Sequence, residues 1–178
     1  MKDKILEFEN CLNKWKRWKL SLIGKITVLK TFAFPKLIYP LQVLANPKQC
    51  IIKDINTKMY SYLWDGKPDK IKRDIIIQDY KNGGLKMIDI ESKIAGLKST
   101  WVHRIIYNSN SVIVRLYNTH LKQLGEKLFF ECNMQPKDVD KLNTSSTFLK
   151  DVLYSWTKAS YTEPTCIGKE IICHFLSN

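Results

Sequence analysis

Acidic residues are missing from a long stretch of this sequence, since no Asp or Glu occurs between Asn10 and Lys53. The basic residues of that stretch therefore have no acidic neighbour along the chain: they are Lys14, Lys16, Arg17, Lys19, Lys25, Lys30, Lys36, Lys48 and Lys53. Unopposed positive charge on a segment that can fold is typical of a surface that meets a polyanion. The formal net charge of +12 fits a nucleic-acid or anionic-membrane partner better than a cationic one.

Long apolar runs and paired cysteines are also lacking. No segment approaches the roughly 18 apolar residues of a membrane-spanning helix, and the first ten residues, MKDKILEFEN, lack the apolar core of a signal peptide. The five cysteines are scattered and include no CxxC pair, which argues against a disulfide framework. We therefore expect reduced thiols, no membrane partner and an intracellular protein of the nucleus or cytoplasm.

The positive charge is concentrated in the first half of the chain. Residues 1–86 hold 18 Lys and Arg against 8 Asp and Glu, a net charge of +10, whereas residues 87–178 hold 11 against 9, a net charge of +2. A function that depends on basic residues therefore belongs to the first half. Apolar residues make up 44% of the chain, which is enough to form a core.

The spacing of apolar residues predicts a mainly α fold, a helical-bundle-like single domain with a short extended or hairpin element around residues 66–88. Three regions are expected: a basic helical region 1–64, a second helical region 65–160, and a tail 161–178 of uncertain structure. The predicted helices cover 3–18, 21–34, 46–64, 90–108, 111–125, 136–142 and 146–158.

The second predicted helix has two distinct sides. Ser21 is its expected N-cap, because a serine hydroxyl can accept a backbone N–H of the first turn. The stripe expected to be buried consists of Leu22, Ile26, Leu29 and Ala33, and the small residues Gly24, Thr27 and Thr31 form a low-profile face on another side. Pro35 and Pro40 are expected to interrupt or restart the helix, because proline lacks a backbone donor.

Three segments together carry a resemblance to a known family. The first runs from Trp15 to Tyr39 with the pattern W-x-x-x-x-L-S-L-x-G-K-I-x-V-L-K-x-x-x-x-P-K-L-I-Y; residues 60–90, YSYLWDGKPDKIKRDIIIQDYKNGGLKMIDI, and 94–105, IAGLKSTWVHRI, follow it. In this order and spacing they resemble the non-LTR (LINE-type, jockey-like) retrotransposon reverse transcriptases, in the thumb and the helical segment after it. Residues 148–156 also resemble a downstream segment of that family.

The catalytic residues of the family are not in this sequence. The family holds two divalent ions on clustered aspartates, two of them adjacent, and this chain contains no Asp-Asp pair. The resemblance therefore implies a C-terminal fragment without the catalytic palm, with no enzymatic activity and no cofactor of its own; the parent polymerase would use Mg²⁺ at residues absent here. Residues 1–64 would be the thumb-like part and 65–160 the part after it.

The resemblance implies that the chain grips a template–primer duplex, with RNA or an RNA–DNA duplex as partner. Sequence-independent grip depends on Lys and Arg contacts with phosphates. The residues expected to make them are Lys14, Lys16, Arg17, Lys19, Lys25, Lys30 and Lys36, with a second cluster at Lys67, Lys70, Lys72 and Arg73. The alternatives are a solvated helix face for the first set and a flexible charged loop for the second.

Other features favour structural explanations. Trp15 and Trp18 align with Phe8 and Leu12, so we expect core anchors rather than stacking platforms. Gly83 and Gly84 fit a plain turn rather than a phosphate cradle. Candidate metal ligands at Cys166, Cys173 and His174 match no standard zinc spacing, His103 and His120 have no evident catalytic partner, and Asp65, Asp69, Asp74 and Asp79 fit capping and charge balance.

A second hypothesis needs no contact with nucleic acid. In it, the chain is a structural module whose apolar faces pack on the palm and fingers of the parent polymerase, and its charge serves only solubility. This hypothesis predicts an exposed apolar patch, on the Leu22/Ile26/Leu29 stripe or on the Ile94/Trp101 stripe.

Overall fold

The computed structural model describes residues 1–107, 112, 114, 115, 117, 119, 135–140 and 146–162. It divides the chain into two compact units, Met1–Glu91 and Ser92–Asn178. The fold is mainly helical, as predicted, and no strand occurs among the described residues. Residues 65–91, which the sequence grouped with the second helical region, belong to the first of these units.

The first unit contains five α-helices with a π-helix and a 3₁₀-helix between them. They are α1 (Lys2–Trp15), α2 (Leu22–Val28), the π-helix (Leu29–Ala33), α3 (Pro35–Val43), α4 (Gln49–Leu63), α5 (Arg73–Ile77) and the 3₁₀-helix (Tyr80–Asn82). α1 packs against the π-helix, α3 and α4, and α2 packs against α4. Helix α4 begins at Gln49 with Lys48 as its N-cap residue, slightly later than the Asn46-Pro47 signal predicted.

The core of the first unit follows from helical spacing. α1 contributes Phe8 and Leu12, and α4 contributes Ile55, Met59 and Leu63, all spaced at helical intervals and buried. An ion pair ties these two helices together at their edge, because the Lys58 ammonium lies 2.8 Å from Glu9 of α1 and 3.2 Å from Asp54 of its own helix. Hydrogen bonding to Glu9 raises the pKa of Lys58 above its ordinary value.

Ser21 caps α2 as predicted, since its hydroxyl oxygen accepts the Gly24 N–H at 3.2 Å. Beyond α2 the chain remains helical up to Pro35, but the turn before the proline is a wider, π-helical turn. The Phe34 N–H donates to the carbonyl of Leu29, five residues back, at 2.8 Å. A widened turn relieves the clash between a proline ring and the carbonyl four residues before it. Pro40 lies buried inside α3, where the helix continues to Val43.

A short extended or hairpin element was expected around residues 66–88, but no strand forms there, and the chain instead folds back through an irregular segment. α5 and the 3₁₀-helix occupy its middle, and the N–H groups of Leu85 and Met87 both donate to the carbonyl of Ile76. Gly83 turns the chain with φ +77°, and a side chain at Gly84 would meet the carbonyl oxygen of Gln78. The two glycines therefore form a tight turn, as expected.

The second unit is built on α6 (Ile90–Tyr107), most of which lies in it, α7 (Pro136–Asp140) and α8 (Thr147–Thr162). Its core contains Trp101, Val102 and Ile105 of α6, Val139 of α7, and Leu149, Val152 and Leu153 of α8. The Trp101 ring meets Phe148 edge-on, with 5.5 Å between ring centroids. The predicted Gly125 helix end and the tail from residue 163 onward lie outside the described residues.

The apolar stripes proposed as an exposed patch are covered. Ile26 and Leu29 are buried in the first unit, Ile94 and Trp101 are buried as well, and only Leu22 is half-buried. The prediction of a patch on these stripes is therefore wrong. Exposed apolar side chains of the first unit lie on other sides of the helices, and include Trp18, Ile23, Phe32, Tyr39, Val43 and Leu44.

A lysine inside the second unit gives its stability a dependence on pH. Lys98 is fully buried, and its ammonium lies 4.1 Å from the centre of the Phe148 ring. Burial lowers the pKa of Lys98 to about 8, although the negative charge of Asp151 acts in the opposite direction. The unfolded chain then binds more protons than the folded chain above this pKa, so the free energy of unfolding should rise with pH.

We expect urea denaturation to show about 1 kcal/mol of added stability between pH 8 and pH 9.5, and a smaller gain in K98M, because a pKa difference of one unit corresponds to about 1.4 kcal/mol. Some gain will remain, since burial also lowers the pKa of Lys93. The exposed Lys137 provides the control K137M, which should keep the full dependence. Equal pH dependence in K98M and K137M would contradict this role of Lys98.

Candidate nucleic-acid interface

Four of the predicted phosphate-binding residues lie together where α1 ends. Lys14 is in the last turn of α1, and Lys16, Arg17 and Lys19 follow before the Ser21 cap; all four are exposed. We call residues 14–19 the basic turn. Its backbone is held to the helix end, since the Trp18 N–H donates to the carbonyl of Trp15 at 3.1 Å. Positive charge at a helix C-terminus is also favoured by the helix dipole.

The two tryptophans of the basic turn differ in environment. Trp15 is half-buried and its ring packs against Phe32 of the π-helix, with 5.1 Å between centroids and 30° between planes. Trp15 is therefore an anchor, as expected. Trp18 is 66% exposed, so the expectation that it is a core anchor is wrong. The reason is local: α1 ends at Trp15, and the helical spacing that aligned Trp18 with Phe8 and Leu12 stops there.

Glu7 and Glu9 of α1 form ion pairs with lysines that lie outside the basic turn. Glu7 accepts the Lys4 ammonium at 2.7 Å and Glu9 accepts that of Lys58 at 2.8 Å. The hydrogen bond from Lys4 holds the pKa of Glu7 below its ordinary value. Among the residues that the structure describes, the basic turn makes no ion pair.

Lys25 has a different role from the one predicted. Its side chain is buried, and its ammonium donates to Asp65 Oδ1 at 2.6 Å and to the carbonyl of Leu63 at 3.3 Å. It thereby fastens α2 to the carboxyl end of α4. A cation held by these two acceptors is not available to a phosphate, so we remove Lys25 from the candidate interface.

Asp65 accepts the hydrogen bond from the Lys25 ammonium while its own backbone is in a left-handed conformation. Helix α4 ends in a Schellman arrangement, in which the Gly66 N–H donates to the carbonyl of Ser61 at 2.8 Å and that of Asp65 to Tyr62 at 3.5 Å. Asp65 occupies the left-handed position with φ +54°, where glycine is the usual residue. Unlike glycine, Asp65 provides a carboxylate that accepts a hydrogen bond from Lys25.

The remaining lysines of the first set lie on the next helices. Lys36 is exposed at the start of α3, and its positive charge contributes to the lowered pKa of Glu7. Lys30 is half-buried in the π-helix. On the predicted low-profile face, the Thr27 hydroxyl donates to the carbonyl of Ile23 at 3.0 Å, and the Thr31 hydroxyl donates to the carbonyl of Thr27 at 2.8 Å. Both side chains therefore stay close to the helix backbone.

The second predicted cluster is only partly free. Lys67, Lys70 and Lys72 are exposed, whereas Arg73 donates to Asp69 at 2.8 Å and lies 4.1 Å from the centre of the Tyr60 ring. Arg73 thus connects α5 to α4, and its guanidinium already contacts Asp69 and Tyr60. Burial raises the pKa of Tyr60 to about 12, so this phenol is neutral at physiological pH.

The other candidate sites have less support. No group of three potential metal ligands occurs within the described part of the chain, and Cys132, Cys166, Cys173, His120 and His174 lie outside it. His103 stacks on Tyr107, with 4.5 Å between ring centroids. No helix in the described residues is long and apolar enough to cross a membrane.

Comparison with known proteins does not assign the chain to a class. No family model matches it, and no solved structure matches it.

Sequence reasoning wrongly assigned Trp18 to the core, and it wrongly included Lys25 among the phosphate-binding residues. Trp18 belongs to the surface, and the signal was present: Ser21 caps the next helix, so residues 16–20 must form a turn. Lys25 belongs to the interior, and no local signal shows this, because its partner Asp65 is 40 residues away in the chain.

We predict that the Lys25–Asp65 pair stabilises the first unit. D65A should lower the free energy of unfolding by about 2 kcal/mol, because it leaves the buried Lys25 ammonium without its carboxylate partner. The double variant Lys25→Met with Asp65→Gly should recover most of this loss, since glycine relieves the strain and methionine needs no partner. Urea denaturation of the wild type, K25M, D65G and the double variant measures the coupling between the two side chains; strictly additive losses across this cycle would contradict it.

Proposed function

We propose that this chain is a non-catalytic nucleic-acid-binding segment that grips a template–primer duplex, as the thumb of a LINE-type reverse transcriptase would. The observation that carries the proposal is the basic turn: Lys14, Lys16, Arg17 and Lys19 are exposed within six residues and are not neutralised by the acids of α1. The preferred partner is an RNA–DNA or RNA duplex, and the palm and fingers of the parent polymerase would contact the same chain.

The mechanism is electrostatic. Lysine and arginine side chains displace counterions from phosphates, which gives affinity without sequence selectivity. A turn held to a helix end by Trp15 and Phe32 presents these cations in a fixed arrangement, so less conformational entropy is lost on binding. Lys36, Lys67, Lys70 and Lys72 are further exposed cations of the same unit. The chain has no Asp-Asp pair, so we assign it no polymerase activity.

The first test is fluorescence-anisotropy binding of the full chain to a blunt RNA–DNA hybrid across a salt series. The affinity should fall steeply as the salt concentration rises. Changing Lys16, Arg17 and Lys19 together to Gln should reduce the magnitude of the log–log slope by about 3, because each phosphate contact contributes about 0.9.

A matched control removes three exposed charges from the second unit, at Arg115, Lys137 and Lys158. This variant has the same net charge as the first and should keep nearly the whole slope. Equal losses in the two variants would mean that net charge alone governs binding. No binding at low salt by a chain shown to be folded by circular dichroism would overturn the proposal.

A second candidate function is docking on the rest of a polymerase without contact with nucleic acid. The observation that favours it is the set of exposed apolar side chains on α2, the π-helix and α3, which includes Ile23, Phe32 and Tyr39, the last 72% exposed. Exposed apolar surface of this kind is common at protein interfaces.

Docking predicts a different response to mutation. Changing Ile23 and Tyr39 to Ser should reduce binding of an apolar fluorescent dye, and should weaken any concentration-dependent association seen in sedimentation, while leaving the salt slope for the hybrid unchanged. The triple Gln variant serves as the reverse control, because it should change the slope and not the dye binding. An unchanged dye signal in the Ser variant would count against docking through this face.

A further inference from the structure

Trp18 is placed unusually for its size and chemistry. Its ring is 66% exposed although tryptophan is mostly buried in folded proteins, and its neighbours Lys16, Arg17 and Lys19 are exposed cations. No acidic residue lies within eight positions before it or thirty-five after it. The surface therefore offers a flat aromatic face surrounded by positive charge.

The backbone that carries Trp18 is fixed by the fold. The Trp18 N–H donates to Trp15, whose own ring packs against Phe32, and the Leu20 N–H donates to the carbonyl of Trp18 at 2.9 Å. Ser21 then starts α2. A tryptophan in a turn that is fixed on both sides loses little freedom when it binds a flat ligand.

The chemistry of this surface fits an aromatic anion. A nucleotide combines a base that stacks on an indole with a phosphate that pairs with Lys or Arg, and tryptophan with basic residues is a common platform for single strands. A base inside a duplex has both faces covered by its neighbours. Away from the ends of a duplex, stacking on Trp18 therefore requires an unpaired base.

We propose that Trp18 stacks on an unpaired base at a single-stranded extension of the bound duplex, while Lys16, Arg17 and Lys19 hold the flanking phosphates. This rests on the proposed function and adds to it, because a grip made of cations alone would not distinguish a base-bearing extension from a bare backbone. The chain thereby binds a junction between duplex and single strand more tightly than a blunt duplex.

An anionic membrane is the other partner that would use tryptophan beside lysine. A helix lying on a membrane needs a continuous apolar face, and the next helix instead exposes Thr27 and Thr31 between its apolar residues Ile23 and Phe32. The nucleic-acid partner is therefore favoured.

The experiment compares three ligands of the full chain: a blunt RNA–DNA hybrid, the same hybrid with a six-nucleotide extension, and the same extension made of abasic units. The two extensions carry equal numbers of phosphates and differ only in bases. The base-bearing extension should bind about 10-fold more tightly than the abasic one, which is within the range of stacking on one aromatic ring. W18A should remove this ratio and leave the affinity for the blunt hybrid nearly unchanged, and W18F should retain part of the ratio.

Tyr107 supplies the matched control, because its ring is also 66% exposed but it lies in the second unit, whose net charge is small. Y107A should keep the full ratio. A ratio near one in the wild-type chain, or an equal ratio in W18A, would overturn the stacking proposal while blunt-duplex binding still upholds the grip. Trp18-dependent binding to anionic vesicles without any base dependence would overturn it in favour of a membrane. If the wild-type chain binds none of the three ligands, both proposals are overturned.

Discussion

The buried ammonium of Lys25 is the constraint on which the first unit depends. It donates to Asp65 and to the carbonyl of Leu63, and it thereby joins α2 to the end of α4. The carboxyl end of a helix attracts positive charge, and the carboxylate of Asp65 adds a second acceptor at the same point. Desolvation of a lysine is costly, so the fold holds Asp65 in a left-handed conformation to provide that acceptor. With α2 fixed in this way, the chain between α1 and α2 must turn within residues 16–21.

The distribution of ion pairs explains why the basic turn remains charged. In the first unit Glu7 and Glu9 of α1 pair with Lys4 and Lys58, and Asp65 after α4 pairs with Lys25. These pairs support helices and helix contacts, and none of them includes a residue of the basic turn. The sequence places no acid between Asn10 and Lys53. The basic turn therefore keeps four exposed cations within six residues, and none of the ion pairs of the described residues includes them.

Local features of the fold were predictable from sequence, and features that depend on distant residues were not. The Ser21 cap and the course of α6 follow from neighbouring residues, so periodicity and capping rules found them. The burial of Lys25 depends on a residue 40 positions away, and no local pattern encodes it. Trp18 was misplaced because periodicity does not show where a helix ends. The π-helix before Pro35 was missed because a proline predicts an interruption, whereas packing of Leu29 and Ala33 kept the chain helical.

The same constraint connects the two basic segments of the first unit. Asp65 lies two residues before Lys67, and the Lys67 N–H donates to the carbonyl of Trp64 at 3.0 Å, so the pair with Lys25 places the beginning of the second segment beside α2. Arg73, stacked on Tyr60, fixes its end against α4. Lys67, Lys70 and Lys72 thus lie on a segment that is attached near its two ends to α2 and α4, and α4 also packs against α1, the helix that the basic turn ends.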